Sequence, residues 1–277
     1  MLQQEHYSDS RRRSNSFGLT RVGTLALSTL DRAFARTESA PETVYECPRC
    51  EDTGLAEAPD RYGVVRAGTC ICAVRRRHRN MCKNAGFDLA EAKTLADYQG
   101  WNQAALLAKR KAEAYIRDFD TIRRQPRNWF IVNGQSGSGK TMLCRAIVKA
   151  LLERPDPVKA VAVKYYAMMQ ELKAHSNSEN YHERLDRYTD CEVLFIDDFL
   201  KEKLHGGDLT EADIKHLFAV LDSRYDAYRP TIITTELSPS RIDQLNEAFY
   251  GRMLERAYTE IVFDDKASNF RKRIINP

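Results

Sequence analysis

Asn128-Trp129-Phe130-Ile131-Val132-Asn133-Gly134-Gln135-Ser136-Gly137-Ser138-Gly139-Lys140-Thr141 is a short apolar run that breaks into a glycine-rich loop. Gly134 and Gly139 frame the spacing G-x-x-x-x-G-K-[ST], which lets successive backbone N–H groups turn inward around a run of phosphates. Trp129 to Val132 has the continuous apolar character of a buried strand. Beyond the loop, Leu143, Ile147, Val148 and Leu151 recur at helical spacing between Met142 and Leu152. Strand, loop and helix in that order set a helix N-terminus against the phosphates. The stretch therefore reads as a P-loop, with Gly134, Gln135, Ser136, Gly137, Ser138, Gly139, Lys140, Thr141 and Met142 as the expected binding residues. Lys140 is expected to bring positive charge to the β/γ-phosphates of ATP, and the Thr141 hydroxyl to ligate Mg2+.

Val193-Leu194-Phe195-Ile196-Asp197-Asp198 is a second hydrophobic strand, closing on two carboxylates. Ligands collect at the carboxyl ends of parallel strands, so Asp197 is expected at Mg2+ and Asp198 at the attacking water. Val161 to Tyr166 is a further strand-like run, followed by a helical pattern through Met168, Met169 and Leu172. Pro230-Thr231-Ile232-Ile233-Thr234-Thr235-Glu236 is another, whose end belongs beside the γ-phosphate if it neighbours the other strands in one sheet. Arg252 and Arg256 follow in a segment of helical character, and Asn269-Phe270-Arg271-Lys272-Arg273 comes near the end of the sequence. Arginine stabilises charge building on a transferred phosphoryl group, which makes these residues candidates for catalytic or sensing roles. The fold class expected from these parts is a P-loop NTPase, a three-layer α/β core around a parallel sheet.

The chain has 277 residues, 43% of them hydrophobic, and a net charge of +4. That suits one α/β domain with a smaller attachment. Four of the seven cysteines fall in two tight pairs, Cys47-Pro48-Arg49-Cys50 and Cys70-Ile71-Cys72. Thiolates at this spacing suit a closed tetrahedral Zn2+ site, in a segment too small to hold its shape by apolar burial. His78 or Cys82 could replace one of the four. Paired cysteines without a convincing secretory signal or a spanning run indicate a reducing cytoplasm and no membrane. Basic residues cluster at Arg11 to Arg13, Arg75 to Lys83 and Arg271 to Arg273, and the middle cluster, beside the cysteines, favours a nucleic-acid partner.

The expected organisation is a flexible arm over 1–40, with a short amphipathic helix from Leu25 to Phe34, then a zinc module over 41–85. A helical connector follows over 86–127, and the ATPase domain occupies 128–277. In the connector, Ala108, Ala112, Tyr115, Ile116, Phe119 and Ile122 repeat on one helical face. Thr94 to Tyr98 is a candidate strip beside the adenine or, equally, a stretch that only packs.

Taken together, the cysteine pairs, the P-loop, Phe195-Ile196-Asp197-Asp198-Phe199-Leu200, the Pro230 strand, Gly251-Arg252 and Asn269-Phe270-Arg271 resemble the DnaC/DnaI-type helicase loaders, especially phage and prophage members. These are AAA+ ATPases that place the ring-shaped replicative helicase on DNA. The resemblance implies Walker A at Lys140 and Thr141, Walker B at Asp197 and Asp198, and sensor I at Glu236. It also implies an arginine finger at Arg252 acting on a neighbouring subunit's ATP, and sensor II at Arg271. The implied partners are a hexameric helicase, single-stranded DNA and further copies of this chain joined through the ATP site. Asp198 stands where many relatives have Glu, which suits a slow switch. Glu236 stands where Asn is common, and a carboxylate there is repelled by the γ-phosphate unless paired or protonated, so Thr234 or Thr235 is a substitute contact. Little chain follows Arg271, so no full helical lid is expected. Two other readings share these parts: an IstB-like ATPase helper of a DNA transposase, and a zinc nucleic-acid-binding protein whose P-loop binds ATP without hydrolysing it.

Overall fold

Alternation along the strands decides the architecture. Phe130, Val132, Val193, Phe195 and Ile232 turn to one face of a sheet, and Trp129, Ile131, Leu194, Ile196 and Ile233 turn to the other. Both faces are apolar, so each requires its own layer of helices.

The computed structural model describes residues 45–59, 64–73, 76, 80, 92–154, 156 and 158–263. The arm with its amphipathic helix, most of the Arg75 to Lys83 cluster, His78, Cys82 and the segment carrying Arg271 lie outside the described residues. A short antiparallel hairpin comes first, β1 (Leu55–Pro59) paired with β2 (Val65–Thr69). Next come α1 (Gln103–Arg117), α2 (Phe119–Ile122), β3 (Trp129–Gly134), α3 (Lys140–Leu152), β4 (Ala160–Lys164), α4 (Tyr165–Ala174) and α5 (Tyr181–Thr189). Then follow β5 (Val193–Phe199), a 3-10 turn (Lys201–Lys203), α6 (Glu211–Asp226), β6 (Thr231–Thr235), α7 (Pro239–Leu245), α8 (Glu247–Arg256) and β7 (Ala257–Phe263).

The main sheet has the order β4-β5-β6-β3-β7, with every neighbouring pair parallel. Helices α1 to α3 cover one face, and α4 to α8 the other. The result is a three-layer α/β P-loop NTPase fold. The carboxyl ends of β3, β5 and β6 lie side by side, which is where such a sheet binds ligands.

Helix α1 starts where Asn102 Oδ1 accepts from Ala105 N at 2.8 Å, an N-cap. Its buried residues Ala105, Ala108, Ala112 and Tyr115 fall on one stripe and join the core of α3 and the sheet. Alanine there lets the two helix backbones approach closely, and Tyr115 Oη donates to Asn128 O at 2.8 Å at the entrance to β3. The apolar face does not run through one helix to Ile122, because the chain breaks at Asp118, with φ −100 and ψ 13. Tyr165 and Tyr166 begin α4 rather than ending β4. Strand β7 has no counterpart in the sequence reading, because its residues are mostly half-buried and its apolar run is short. Among the described residues no helix is long and apolar enough to cross a membrane.

Candidate functional site

Neighbouring side chains on a strand point to opposite faces, so a regular β5 would bring only one of Asp197 and Asp198 to the end of the P-loop strand. The pairing with β6 breaks that rule. Ile196 opposes Ile233 and Phe199 opposes Thr235, leaving two residues, Asp197 and Asp198, against Thr234 alone. Asp198 takes up the extra residue at φ 56, a left-handed backbone that aspartate tolerates better than most residues. A bulge of this kind re-aims side chains, and both carboxylates line one cleft. Thr234 fastens the bulge from behind: its hydroxyl donates to Asp197 Oδ1 at 2.6 Å and accepts from Asp198 N at 3.1 Å. The Thr141 hydroxyl donates to the same Asp197 oxygen at 2.8 Å. P-loop helix, acidic strand and β6 thus meet at one oxygen atom.

The loop's glycines are required by contact as well as by conformation. Gly134 has φ +142, and a Cβ there would lie 2.5 Å from Phe263 Cβ on β7. Gly139 has φ +87, and its Cβ would lie 2.7 Å from Trp101 Cη2 and 3.2 Å from Tyr98 Cε2. The aromatic pair ahead of α1 therefore buttresses the P-loop from outside, and Tyr98 is a packing residue rather than part of an open adenine strip. Lys140 Nζ donates to Gly134 O at 2.6 Å and to Gln135 O at 2.7 Å, closing the loop over itself. Burial lowers the Lys140 pKa, while the nearby Glu236, Asp198 and Asp197 oppose the shift.

The cleft, about 560 Å³, is lined by Ser136, Gly137, Gly139, Lys140, Thr141 and Met142 from the loop and α3. Asp197, Asp198, Lys201 and Glu236 line it as well, and Lys93, Arg145 and Lys164 add further cations to the same cleft. Gly134, Gln135 and Ser138 frame the loop instead: Ser138 Oγ donates to Gln135 O at 2.9 Å. Thr234 and Thr235 are fully buried and do not line the cleft. The expectation that one of them faces a phosphate is corrected on this point, because Thr234 is taken up by the acidic pair and Thr235 Oγ1 donates to Phe199 O at 2.8 Å. Glu236 does reach the cleft, where Lys201 Nζ lies 3.1 Å from its Oε1 and 3.2 Å from Asp198 Oδ2.

Arg252 stands apart from this cleft, half-exposed on α8, 3.5 Å from Asp222 Oδ1 and over the Phe218 ring. Arg256 is buried between the rings of Tyr225 and Tyr228, 4.0 and 3.9 Å from their centroids, so it serves the fold. At the hairpin, Cys47, Cys50, Cys70 and Cys72 converge with their sulfurs within 4.8 Å of one another. Cys47 Sγ lies 3.8 Å from Cys70 Sγ, and Cys50 Sγ 3.2 Å from Cys72 Sγ. Glu51 and Asp52 at φ 48 and 63 turn the knuckle, and Asp52 Oδ1 accepts from Cys47 N at 2.9 Å.

Residues 63–260 match the family model described as IstB-like ATP binding protein. The chain belongs to that family. Its relatives include the uncharacterized protein YqaM of Bacillus subtilis (strain 168), 33% identical over 157 residues, which are 56% of this chain and 49% of YqaM. This chain thus spans about half the length of that relative. Phage-like element PBSX protein XkdC of the same organism is 26% identical over 221 residues, covering 76% of this chain and 79% of XkdC. Among solved structures, the DnaC helicase loader superposes with a TM-score of 0.53 at 20% identity, over 63% of this chain and 97% of that one. That likeness is one of fold.

The residues present fit what an ATP-binding family implies. The first-turn amides of α3 have no carbonyl within the helix to bond, and they open on the cleft at the positive end of the helix dipole. Thr141 Oγ1 and Asp197 Oδ1 are adjacent hard oxygen donors of the kind Mg2+ takes. The cysteine set fits Zn2+ as well, since sulfurs about 2.3 Å from a tetrahedral zinc stand about 3.8 Å apart. Two contributors have roles here that the sequence did not reveal. Thr234 as the tie and Lys201 as the partner of Glu236 carry no motif, although a lysine three residues beyond an acidic strand end is a signal in retrospect.

Proposed function

We propose that this chain is an ATP-dependent DNA replication protein, a phage-type loader that places a ring-shaped replicative helicase on single-stranded DNA in the cytoplasm. The observation that carries the nucleotide chemistry is the bulge in β5, which brings Asp198 to the cleft beside Asp197. Lys140 exchanges its bonds to Gly134 O and Gln135 O for phosphate oxygens when ATP enters. Mg2+, held by Thr141 and Asp197, supplies neutralisation of phosphate charge. Asp198 orients the attacking water and accepts its proton. Its short side chain keeps hydrolysis slow, as suits a timing switch. Arg252, half-exposed beside Asp222 and the Phe218 ring, reaches a neighbouring subunit's ATP, with Arg271 as a second cation, so copies of this chain assemble through the ATP site. Residues 1–40 act as an arm, and 41–85 form a zinc module, closed by Cys47, Cys50, Cys70 and Cys72, that grips helicase or DNA. The likeness to DnaC over 97% of that chain supports this reading.

A second reading, an IstB-like ATPase helper of a DNA transposase, shares only its IstB-like name with the family model that residues 63–260 match. Copurification separates the two. A loader is retained by a hexameric replicative helicase and released when residues 1–85 are removed, whereas a transposition helper is retained by a transposase and ignores the helicase. Turnover of ATP by wild type and its loss in Lys140→Ala test the enzyme reading. Absence of turnover in wild type, with and without single-stranded DNA, overturns it.

A further inference from the structure

Glu236 poses an electrostatic problem at the proposed nucleotide site. Its side chain is only 10% exposed and lines the same cleft as Asp197 and Asp198, where a bound triphosphate adds more negative charge. An uncompensated carboxylate there repels the ligand. We propose that Lys201 is a positioning residue of the ATP site: one ammonium group neutralises Glu236, holds Asp198 in place, and senses the γ-phosphate. This rests on the reading of the cleft as an ATP site.

Geometry carries the argument. The Lys201 ammonium stands 3.1 Å from Glu236 Oε1 and 3.2 Å from Asp198 Oδ2, so it joins the residue after β6 to the acidic end of β5. Two of its three N–H donors are used by these contacts, and the third remains for a phosphate oxygen. Lys201 does not reach the cleft by chance of a long side chain. Leu200 is fully buried and takes φ 55, which turns the chain back at the end of β5 into the 3-10 turn that starts with Lys201. The neighbouring Lys203 goes elsewhere, donating to Asp208 O at 2.8 Å and lying 3.5 Å from Asp213 Oδ2 at the start of α6. An exposed ion pair alone contributes little, but here one partner is nearly buried. The pKa of Lys201 is raised: burial works against its charge, and the bonds to Glu236 and Asp198 outweigh it.

A Lys201–Glu236 pair is neutral overall, yet it can divide. A γ-phosphate draws the ammonium toward itself, loosening its hold on Asp198 only when ATP, and not ADP, is bound. The distinction between the two nucleotides then passes through Lys201.

Calorimetry on the full chain with Mg2+ and either a nonhydrolysable ATP analogue or ADP tests this. Lys201→Ala should weaken the ATP analogue about tenfold and ADP less than about twofold, the loss of one charge contact to a phosphate. Lys201→Arg should keep most of the affinity. Adding Glu236→Gln to Lys201→Ala should restore part of it, because the repelling carboxylate is gone while the ammonium contact to the phosphate is not replaced. A purely structural lysine would affect both nucleotides alike. Wild-type affinity in Lys201→Ala, equal loss of both nucleotides, or no recovery in the double variant overturns the proposal while leaving the ATP site standing. A wild type that takes up neither nucleotide overturns the ATP site itself. Lys201→Ala leaves a nearly buried carboxylate without its ammonium, so its Tm should fall and should recover in the double variant.

Discussion

The Thr234 hydroxyl donates to Asp197 at 2.6 Å from the neighbouring strand, and it is fully buried in doing so. Replacing it by valine keeps the volume and the strand propensity but leaves the carboxylate and the amide of Asp198 without their shared partner. Thr234→Val should lower stability by about 1–3 kcal/mol, the usual penalty for orphaned buried polar groups, and should reduce ATP turnover. Thr234→Ser should retain both. Urea unfolding together with a phosphate-release assay distinguishes them, and equal behaviour of the two variants would remove Thr234 from the site.

Arg224 is a buried guanidinium whose bonds all go to neutral acceptors. Nη1 donates to Tyr188 O and Cys191 O at 2.9 Å and to Thr189 O at 3.2 Å, Nη2 to Pro230 O at 2.6 Å, and Nε to Thr231 Oγ1 at 3.0 Å. It thereby fastens the segment entering β5 to the segment entering β6, and burial pulls its pKa down to about 10. Arg224→Ala strands several buried carbonyls and should cost at least about 3 kcal/mol. Arg224→Lys should recover only part, since an ammonium cannot reproduce the planar fork. Chemical denaturation reads both.

Glu260 on β7 accepts from Asn133 Nδ2 at 3.0 Å and from Tyr250 Oη at 3.3 Å. Burial raises its pKa above the ordinary 4.5, and the two hydrogen bonds only partly offset this. Between the unfolded value and the raised folded value the native state holds more protons than the unfolded one. Stability from this group is therefore fully present below 4.5 and is lost as pH rises through the folded value. Glu260→Gln should be more stable than wild type near neutral pH, with the advantage shrinking toward acid. Thermal unfolding as a function of pH checks the sign, and an advantage that grows toward acid would contradict it.

The four-cysteine cluster predicts a bound metal. Purified chain should carry about one Zn2+, and Cys70→Ser should lose it, as removing one of four thiolates opens a closed site. Nucleotide binding at the P-loop should survive that change. Elemental analysis alongside nucleotide titration gives the answer, and zinc-free chain that is indifferent to a strong chelator would refute the assignment.

Much of the fold is legible locally. The strand, loop and helix from Trp129 to Leu152 follow from apolar spacing and glycine placement, and the acidic end of β5 from an apolar run meeting two aspartates. Strand β7 is harder to read, because Tyr258, Thr259 and Glu260 are half-buried and show neither a continuous nor a cleanly alternating pattern. Helical spacing alone does not distinguish Arg252 from Arg256, four residues apart on one helix. Only the packing of Tyr225 and Tyr228 around Arg256 separates them.

By itself the sequence determined the strand, loop and helix around the phosphate-binding loop, the acidic end of β5, and which acidic and cysteine residues are chemically equipped for a site. Those properties depend on residues close together along the chain, where hydrophobic period and turn chemistry act directly. The tertiary structure decided that Asp197 and Asp198 share one cleft, that Thr234 supports them from behind, and that Lys201 answers Glu236. The first two arise from a bulged register between two strands more than thirty residues apart in sequence and the third from the turn at Leu200 beyond it, and the pairing of strands is settled only when the whole sheet assembles.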